Sequence, residues 1–260
     1  MKPVTLFNQR GLSIIELMVA LVLSLILLTG VIQVFLSTKQ TYATNDAMSH
    51  LQENGRFALE FIARSARLGG YTNPTELISP PLPVQGKNCG AACSLNGSGS
   101  DSDTLAIAFQ PPRDAGTGLH YDCAGASVDA DKVLVNVFKT LNGSLVCSSY
   151  YIGTTTAISS NKPLVEGIDR LQVLYGVNTA GKADSVDQYI SADRVTSLNK
   201  WDQVRAIRLA VLANSVTPIN PTPPARKFAL LDATPVSFSN AEARLGRQIF
   251  TTTILLKNTN

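Results

Sequence analysis

Histidine is nearly missing from this chain: His50 and His120 are the only two. No Gly-x-Ser-x-Gly elbow, no phosphate-binding P-loop and no His-Glu-x-x-His occurs, which removes the commonest hydrolase, nucleotide and zinc-protease signatures. Gly97-Ser98-Gly99-Ser100 precedes no helix pattern, so it reads as a flexible loop and not as a phosphate cradle. Charge is scarce too, at 16% of residues. With Lys2 and Arg10 set aside, 20 of the 22 Lys+Arg face 19 Asp+Glu, so the rest carries no electrostatic footprint for nucleic acid. Asp101, Asp103, Asp129 and Asp131 could be imagined as acid–base pairs, but the pattern favours solvated surface. His50 and His120 read as structural or solvated, and Trp201 as a core or sheet-edge anchor. No active site, cofactor or metal is expected, and the chain does not read as an enzyme.

Four cysteines are present: Cys89, Cys93, Cys123 and Cys147. In a chain with an export signal an even number suggests disulfides, with free thiols as the alternative. The spacing fits no zinc pattern. Pairing 89 with 93 and 123 with 147 closes the shortest loops, though four cysteines allow three connectivities.

The opening residues hold the strongest signal. A short polar stretch with Lys2 and Arg10 gives way to Leu12-Ser13-Ile14-Ile15-Glu16-Leu17, and no charge appears from Leu17 to Thr38. That run is long enough for a bilayer core, which takes about 20 apolar residues. Basic residues before it favour a cytoplasmic N-terminus. Three readings compete. A cleaved secretory signal needs a shorter apolar run followed by a small-residue site. A plain signal anchor explains everything except Glu16, whose carboxylate is costly near a span unless it snorkels or has a partner. The third reading gives Glu16 a role.

Gln9-Arg10-Gly11 followed by Leu12-Ser13-Ile14-Ile15-Glu16-Leu17 resembles the class III leader of type IV prepilins and type II secretion pseudopilins. The resemblance implies cleavage between Gly11 and Leu12 by a prepilin peptidase, N-methylation of Leu12, and pairing of Glu16 with a neighbouring subunit's N-terminal amine to set the stagger. Leu12 stands where the family usually has Phe. A glycine at the cut suits a narrow protease site, since it carries no side chain.

Beyond the span, Met48, Leu51, Gly55, Ala58, Ile62 and Ser65 recur at helical steps, with Phe57 and Phe61 widening the stripe. Glu60 and Arg64 stand as an i,i+4 pair. Gly69-Gly70 is a natural stop. The expectation is one helix over 12–68, then a Pro/Gly/Ser/Asn-rich loop over 71–103. Strands are expected at 104–110, 132–139, 144–152, 167–177, 204–213 and 248–257. Asn142-Gly143 is a hairpin signal. Residues 218–224, with four prolines, read as an extended loop. The loop at 178–187 offers Asp184 and Asp187 beside Lys182, a poor calcium site.

The segments 103–110, 167–177, 201–212 and 247–258 resemble PilW-type minor pilins. The fold class implied is α+β, type IV pilin-like, with a long N-terminal α-helix packed on an antiparallel β-sheet head. The expected organisation is a leader at 1–11, a membrane half-helix at 12–38, a periplasmic half-helix at 39–68 and a β-rich periplasmic head at 69–260. The resemblance implies a protein of the inner membrane and then the pilus. Its partners would be other minor pilins, the major pilin, a tip adhesin, the prepilin peptidase, the inner-membrane assembly platform and lipid. The expected role is pilus assembly through a priming or tip complex that serves motility, adhesion or DNA uptake. A minor pseudopilin of type II secretion, or a membrane-anchored periplasmic enzyme, are the rival readings.

Overall fold

The structure, a computed structural model, describes residue 11 and residues 13–74, 78–180 and 185–259. The remainder of the expected leader, Leu12 itself, and Lys182 and Asp184 lie outside the described residues.

The first element, α1, runs from Ile14 to Leu68 without a proline. It ends as the double glycine predicts. Gly70 takes a φ of +79°, a conformation glycine adopts without a Cβ penalty, and the Gly69 N–H donates to the Ala66 carbonyl at 3.1 Å. The chain divides into two units at Asp46/Ala47. In the first unit α1 is exposed along its apolar length, with Ile14 80%, Leu27 72% and Phe35 66% accessible.

The second unit holds the rest of α1 and two antiparallel sheets. Sheet I is a meander of β1 (Leu105–Phe109), β2 (Leu134–Leu141), β3 (Ser144–Tyr151) and β4 (Ala157–Glu166). Asn142 and Gly143, both at positive φ, make the β2–β3 turn that the sequence marks. Sheet II contains β5 (Ile168–Val177), β6 (Gln188–Ile190), β7 (Val204–Pro218) and β8 (Leu245–Leu255), in the order β6-β5-β7-β8. A short helix, α2 (Ala192–Leu198), leads towards β7.

The head therefore has two sheets where a single one was expected. The chain changes sheets at Gly167, whose φ of +69° turns it out of β4 and into β5. Strand β4 escapes the alternation rule because Lys162-Pro163 interrupts it, and β6 is only three residues long. Strand β7 runs five residues past its expected end, to Pro218.

One core joins the three layers. Leu51, Ala58, Ile62 and Ala66 of α1 meet Leu105, Ile107 and Phe138 of sheet I and Leu171, Val173 and Leu209 of sheet II. Burying each such aliphatic side chain is worth about 1.5–3 kcal/mol. The outer face of sheet II is covered as well, since Phe228, Leu230 and Phe238 from the 219–239 loop pack on Ala210, Leu212 and Ile249.

Two details of the helix differ from the sequence reading. Phe57 and Phe61 remain 41% exposed, because each sits one position off the buried row. Glu60 pairs with Arg67 at 3.1 Å and not with Arg64, on an exposed flank where such a pair is worth little.

Candidate assembly surfaces

The exposed half of α1 is built to meet an apolar surround. Its hydroxyls turn back onto the helix: Ser24 Oγ donates to the Leu21 carbonyl at 2.8 Å, Thr29 Oγ1 to Leu25 at 2.9 Å and Thr38 Oγ1 to Val34 at 2.8 Å. With those donors satisfied, the surface offers lipid or a neighbouring helix little but hydrocarbon. Glu16 sits in the first turn, where a negative charge complements the helix dipole, and it is exposed. Gly11 is exposed ahead of it.

In the head, two flanks of α1 border open grooves. One flank, with Phe61, Arg64 and Leu68, lies over sheet I and the 112–125 loop and encloses about 500 Å³. Asn136 of β2 lines this space. Its amide nitrogen reaches Ser65 Oγ at 3.4 Å, while its oxygen is buried without a hydrogen-bond partner. The other flank, with Gln52, Arg56, Leu59 and Ala63, stands beside β8 and encloses about 640 Å³.

The sheets are spliced by a pair of residues ahead of β1. The Asp103 N–H donates to the Leu171 carbonyl at 2.8 Å, and the Leu171 N–H donates to Ser102 Oγ at 3.1 Å. The Asp103 carboxylate accepts from Gly97 N–H and from Val173 N–H, each at 2.7 Å. Asp103 is only 2% exposed, which corrects the expectation of a solvated carboxylate; Asp101, Asp129 and Asp131 are exposed as expected. Burial pushes the Asp103 carboxyl up to about 6, against the pull of its two N–H donors. The Tyr175 phenol behind it is pushed up by burial as well.

At the far end of sheet II, Arg247 Nε meets Asp169 Oδ2 at 2.7 Å with both side chains largely buried. Asn214 donates to the other Asp169 oxygen at 2.7 Å, and the guanidinium lies 3.6 Å from the centre of the Phe238 ring. Cys89 is joined to Cys93 and Cys123 to Cys147, with Cα separations of 5.1 and 6.4 Å. Trp201 is a core residue, edge-on to Tyr175 at 5.0 Å. His120 Nδ1 lies 2.7 Å from the Pro111 carbonyl, and Asp187 is taken up by Thr179 and Ala180 of its own turn. Among the described residues no group of three or more His, Cys, Asp or Glu side chains is gathered as a metal site would need.

Comparison with known proteins follows the same division. Residues 6–32 match the prokaryotic N-terminal methylation motif, and residues 133–258 match the family model of type IV pilus-assembly protein W. The chain is similar to the PilW-type minor pilins over almost half its length. The family match begins just before β2 and ends after β8, so it takes in sheet II and most of sheet I and leaves out the disulfide loop at Cys89–Cys93. A solved type IV-like pilin from Thermus thermophilus is similar at 15% identity and a TM-score of 0.49, covering 81% of this chain and 98% of that one. No curated protein matches this chain. The matched family is one of structural pilus components, and the motif at the start of the chain is that of a membrane-anchored pilin.

The sequence singles out Gly11, Glu16 and the four cysteines. It gives no sign of the Asp103 splice or of the grooves beside α1. The one signal that could have found Asp103 is its place just ahead of the apolar run of β1.

Proposed function

We propose that this minor pilin enters the inner membrane with its N-terminus in the cytoplasm and its head in the periplasm. It is then cut between Gly11 and Leu12 and methylated on the new Leu12 amine. The observation that carries this reading is the unpartnered apolar helix that begins beside Gly11 and keeps Glu16 as its one charge before Lys39. Such a surface is unstable in water. A single carboxylate within it becomes tolerable on burial only with a partner. The amine that cleavage would create on an adjacent subunit has the right charge, and a pair of that kind fixes register more than it adds stability.

In this reading the chain works by assembly and has no catalytic step. It joins other minor pilins and the major pilin on the inner-membrane platform, in a complex that primes the filament and carries a tip adhesin. Asp103, the one buried carboxylate with a raised pKa among the described residues, is held by backbone donors and lines none of the grooves described, which suits a structural splice better than a general acid.

The test is the intact mass of the membrane-extracted chain with and without prepilin peptidase. A mass that begins at methylated Leu12, seen only with the peptidase, is expected. The full-length mass in both strains would return Glu16 to an anchor residue.

A further inference from the structure

Strand β8 is the outer edge of sheet II, and its inner side is fully engaged. Its pairing with β7 is in continuous register from Ala206↔Leu255 to Asn214↔Arg247. The Leu256 N–H donates to the Arg205 carbonyl at 2.8 Å, which fixes the phase of the ladder. Hydrogen bonding alternates along an antiparallel strand, so Phe250, Thr252 and Ile254 turn their backbone groups to β7. Ile249, Thr251, Thr253 and Leu255 turn theirs outward. At the start of the strand that outward side is occupied, since Arg226 donates to the Arg247 carbonyl at 2.5 Å. From Ile249 to Leu255 no backbone partner stands there among the described residues.

Exposed edges are normally guarded by charge, proline or a bulge. Strand β4, the outer edge of sheet I, has Lys162, Pro163 and shifts of register against β3. The stretch Gln248–Leu256 has no charge, no proline and no break in register. Beside it runs the groove of about 640 Å³ that Leu59, Ala63 and Arg56 of α1 share with Phe250 and Thr252. The flank of the helix roofs the space in which a further strand would lie, about 4.8 Å out from β8.

We propose that β8 is an assembly edge that accepts one extended segment from a different pilin subunit, adding a fifth strand to sheet II; this rests on the pilin reading above. The incoming strand bonds to the outward backbone groups of Ile249, Thr251, Thr253 and Leu255. Its alternate side chains, small or aliphatic, enter under α1 against Leu59, Ala63 and Phe250. The exposed Arg56 at the rim favours an acidic residue at the strand's end. A second copy of this chain does not fit. Pairing β8 with β8 would bring two helices, each with a flank lining the groove beside its own β8, into the same space, whereas packed helix axes need 8–10 Å between them.

The experiment compares filaments sheared from cells that carry the full chain as wild type, as Thr251→Pro/Thr253→Pro, or as Thr251→Ala/Thr253→Ala. Proline removes outward N–H groups that no partner in the monomer uses, while alanine keeps them. The expected result is wild-type incorporation for the alanine pair and a loss of about tenfold or more for the proline pair. Leu59→Lys places a charge in the groove while leaving the backbone of β8 unaltered and is expected to lower incorporation alike, which covers the case of a proline pair that does not fold. Normal incorporation of the folded proline pair or of Leu59→Lys overturns the proposal. So does a disulfide-linked homodimer formed through Thr251→Cys in the detergent-extracted chain, which would make a second copy the occupant. Absence of the wild-type chain from filaments would instead overturn the pilin reading beneath it.

Discussion

Sheet I closes with a disulfide and a guarded edge. Cys147, in the middle of β3, is tied to Cys123 of the overlying loop, and β4 breaks its own pairing surface with Lys162-Pro163. Sheet II closes with charge and leaves its edge open. Arg247 and Asp169 pin β8 to β5 at one end, loop 219–239 covers one face and α1 the other, and among the described residues no backbone partner stands on the outward side of β8 over its last seven residues. The contrast teaches that burial of faces and protection of edges are separate problems. Both sheets solve the first, sheet I with Ile78 and Ala92 against Ala106, Ala108 and Val135, but sheet II leaves the second unsolved, as a surface meant for a partner would.

The comparison breaks most sharply at Arg247. Removing it by Arg247→Ala leaves the Asp169 carboxylate buried with Asn214 alone, at an expected cost of about 3–5 kcal/mol. Urea melts of the detergent-extracted chain measure this, and Asp169→Leu/Arg247→Met should recover much of the loss, because two apolar residues need no partner. Next comes the covalent tie of sheet I. Cys123→Ala/Cys147→Ala releases a loop with a sequence separation of 24 and should cost about 3.5 kcal/mol on the chain-entropy account. Cys89→Ala/Cys93→Ala, with a separation of 4, should cost about 2 kcal/mol. Equal effects from the two pairs would mean that strain or residual structure outweighs loop closure.

The splice between the sheets predicts a pH dependence of similar or smaller size. The Asp103 pKa rises from 3.8 to about 6 on folding, so the folded state holds the proton more tightly. Its contribution is fully present below pH 4 and is lost as the pH climbs through 6, by about 3 kcal/mol at most. Melting temperatures of the wild type should fall across that window more than those of Asp103→Asn. A wild-type curve parallel to that of the variant would mean that the two N–H donors outweigh burial. The smallest expected effect is at Gly55, where a Cβ would run into the Phe250 ring and seat α1 badly on sheet II. Gly55→Ala should cost about 1–3 kcal/mol. Phe250→Leu in the same chain should return most of it, and if it does not, the helix does not bear on β8 at this point.

Much of this architecture was legible in the residues. The long helix, its glycine stop and six of the eight strands follow from periodicity and turn chemistry, because each is a local pattern. What escaped was non-local. Nothing in Glu166-Gly167-Ile168 says that β5 leaves its neighbour β4 to pair with β7, since that choice rests on a positive φ and on partners about 40 residues away in the chain. Asp103 looked like loop surface because its donors, Gly97 and Val173, are brought to it only by the fold. The N-terminal methylation motif was legible for the opposite reason: Gly11, Leu12 and Glu16 lie within six residues of one another, so a short stretch of sequence carries it. The open edge of β8 was written in Gln248–Leu256 as a run without charge or proline, but that run becomes an edge only once the order of strands is known.

One contact near the end of the chain sets the order in which the molecule can be completed. Asn258 Nδ2 reaches the carbonyls of Arg67 and Gly69, at 3.5 and 3.2 Å, across sequence separations of 191 and 189 residues. A ribosome makes the helix long before this asparagine, with both sheets between them. The carbonyls at the C-terminal end of α1 therefore wait, through the synthesis of both sheets, for the residue that satisfies them, and loss of the segment after β8 would leave the helix end of the head unfinished.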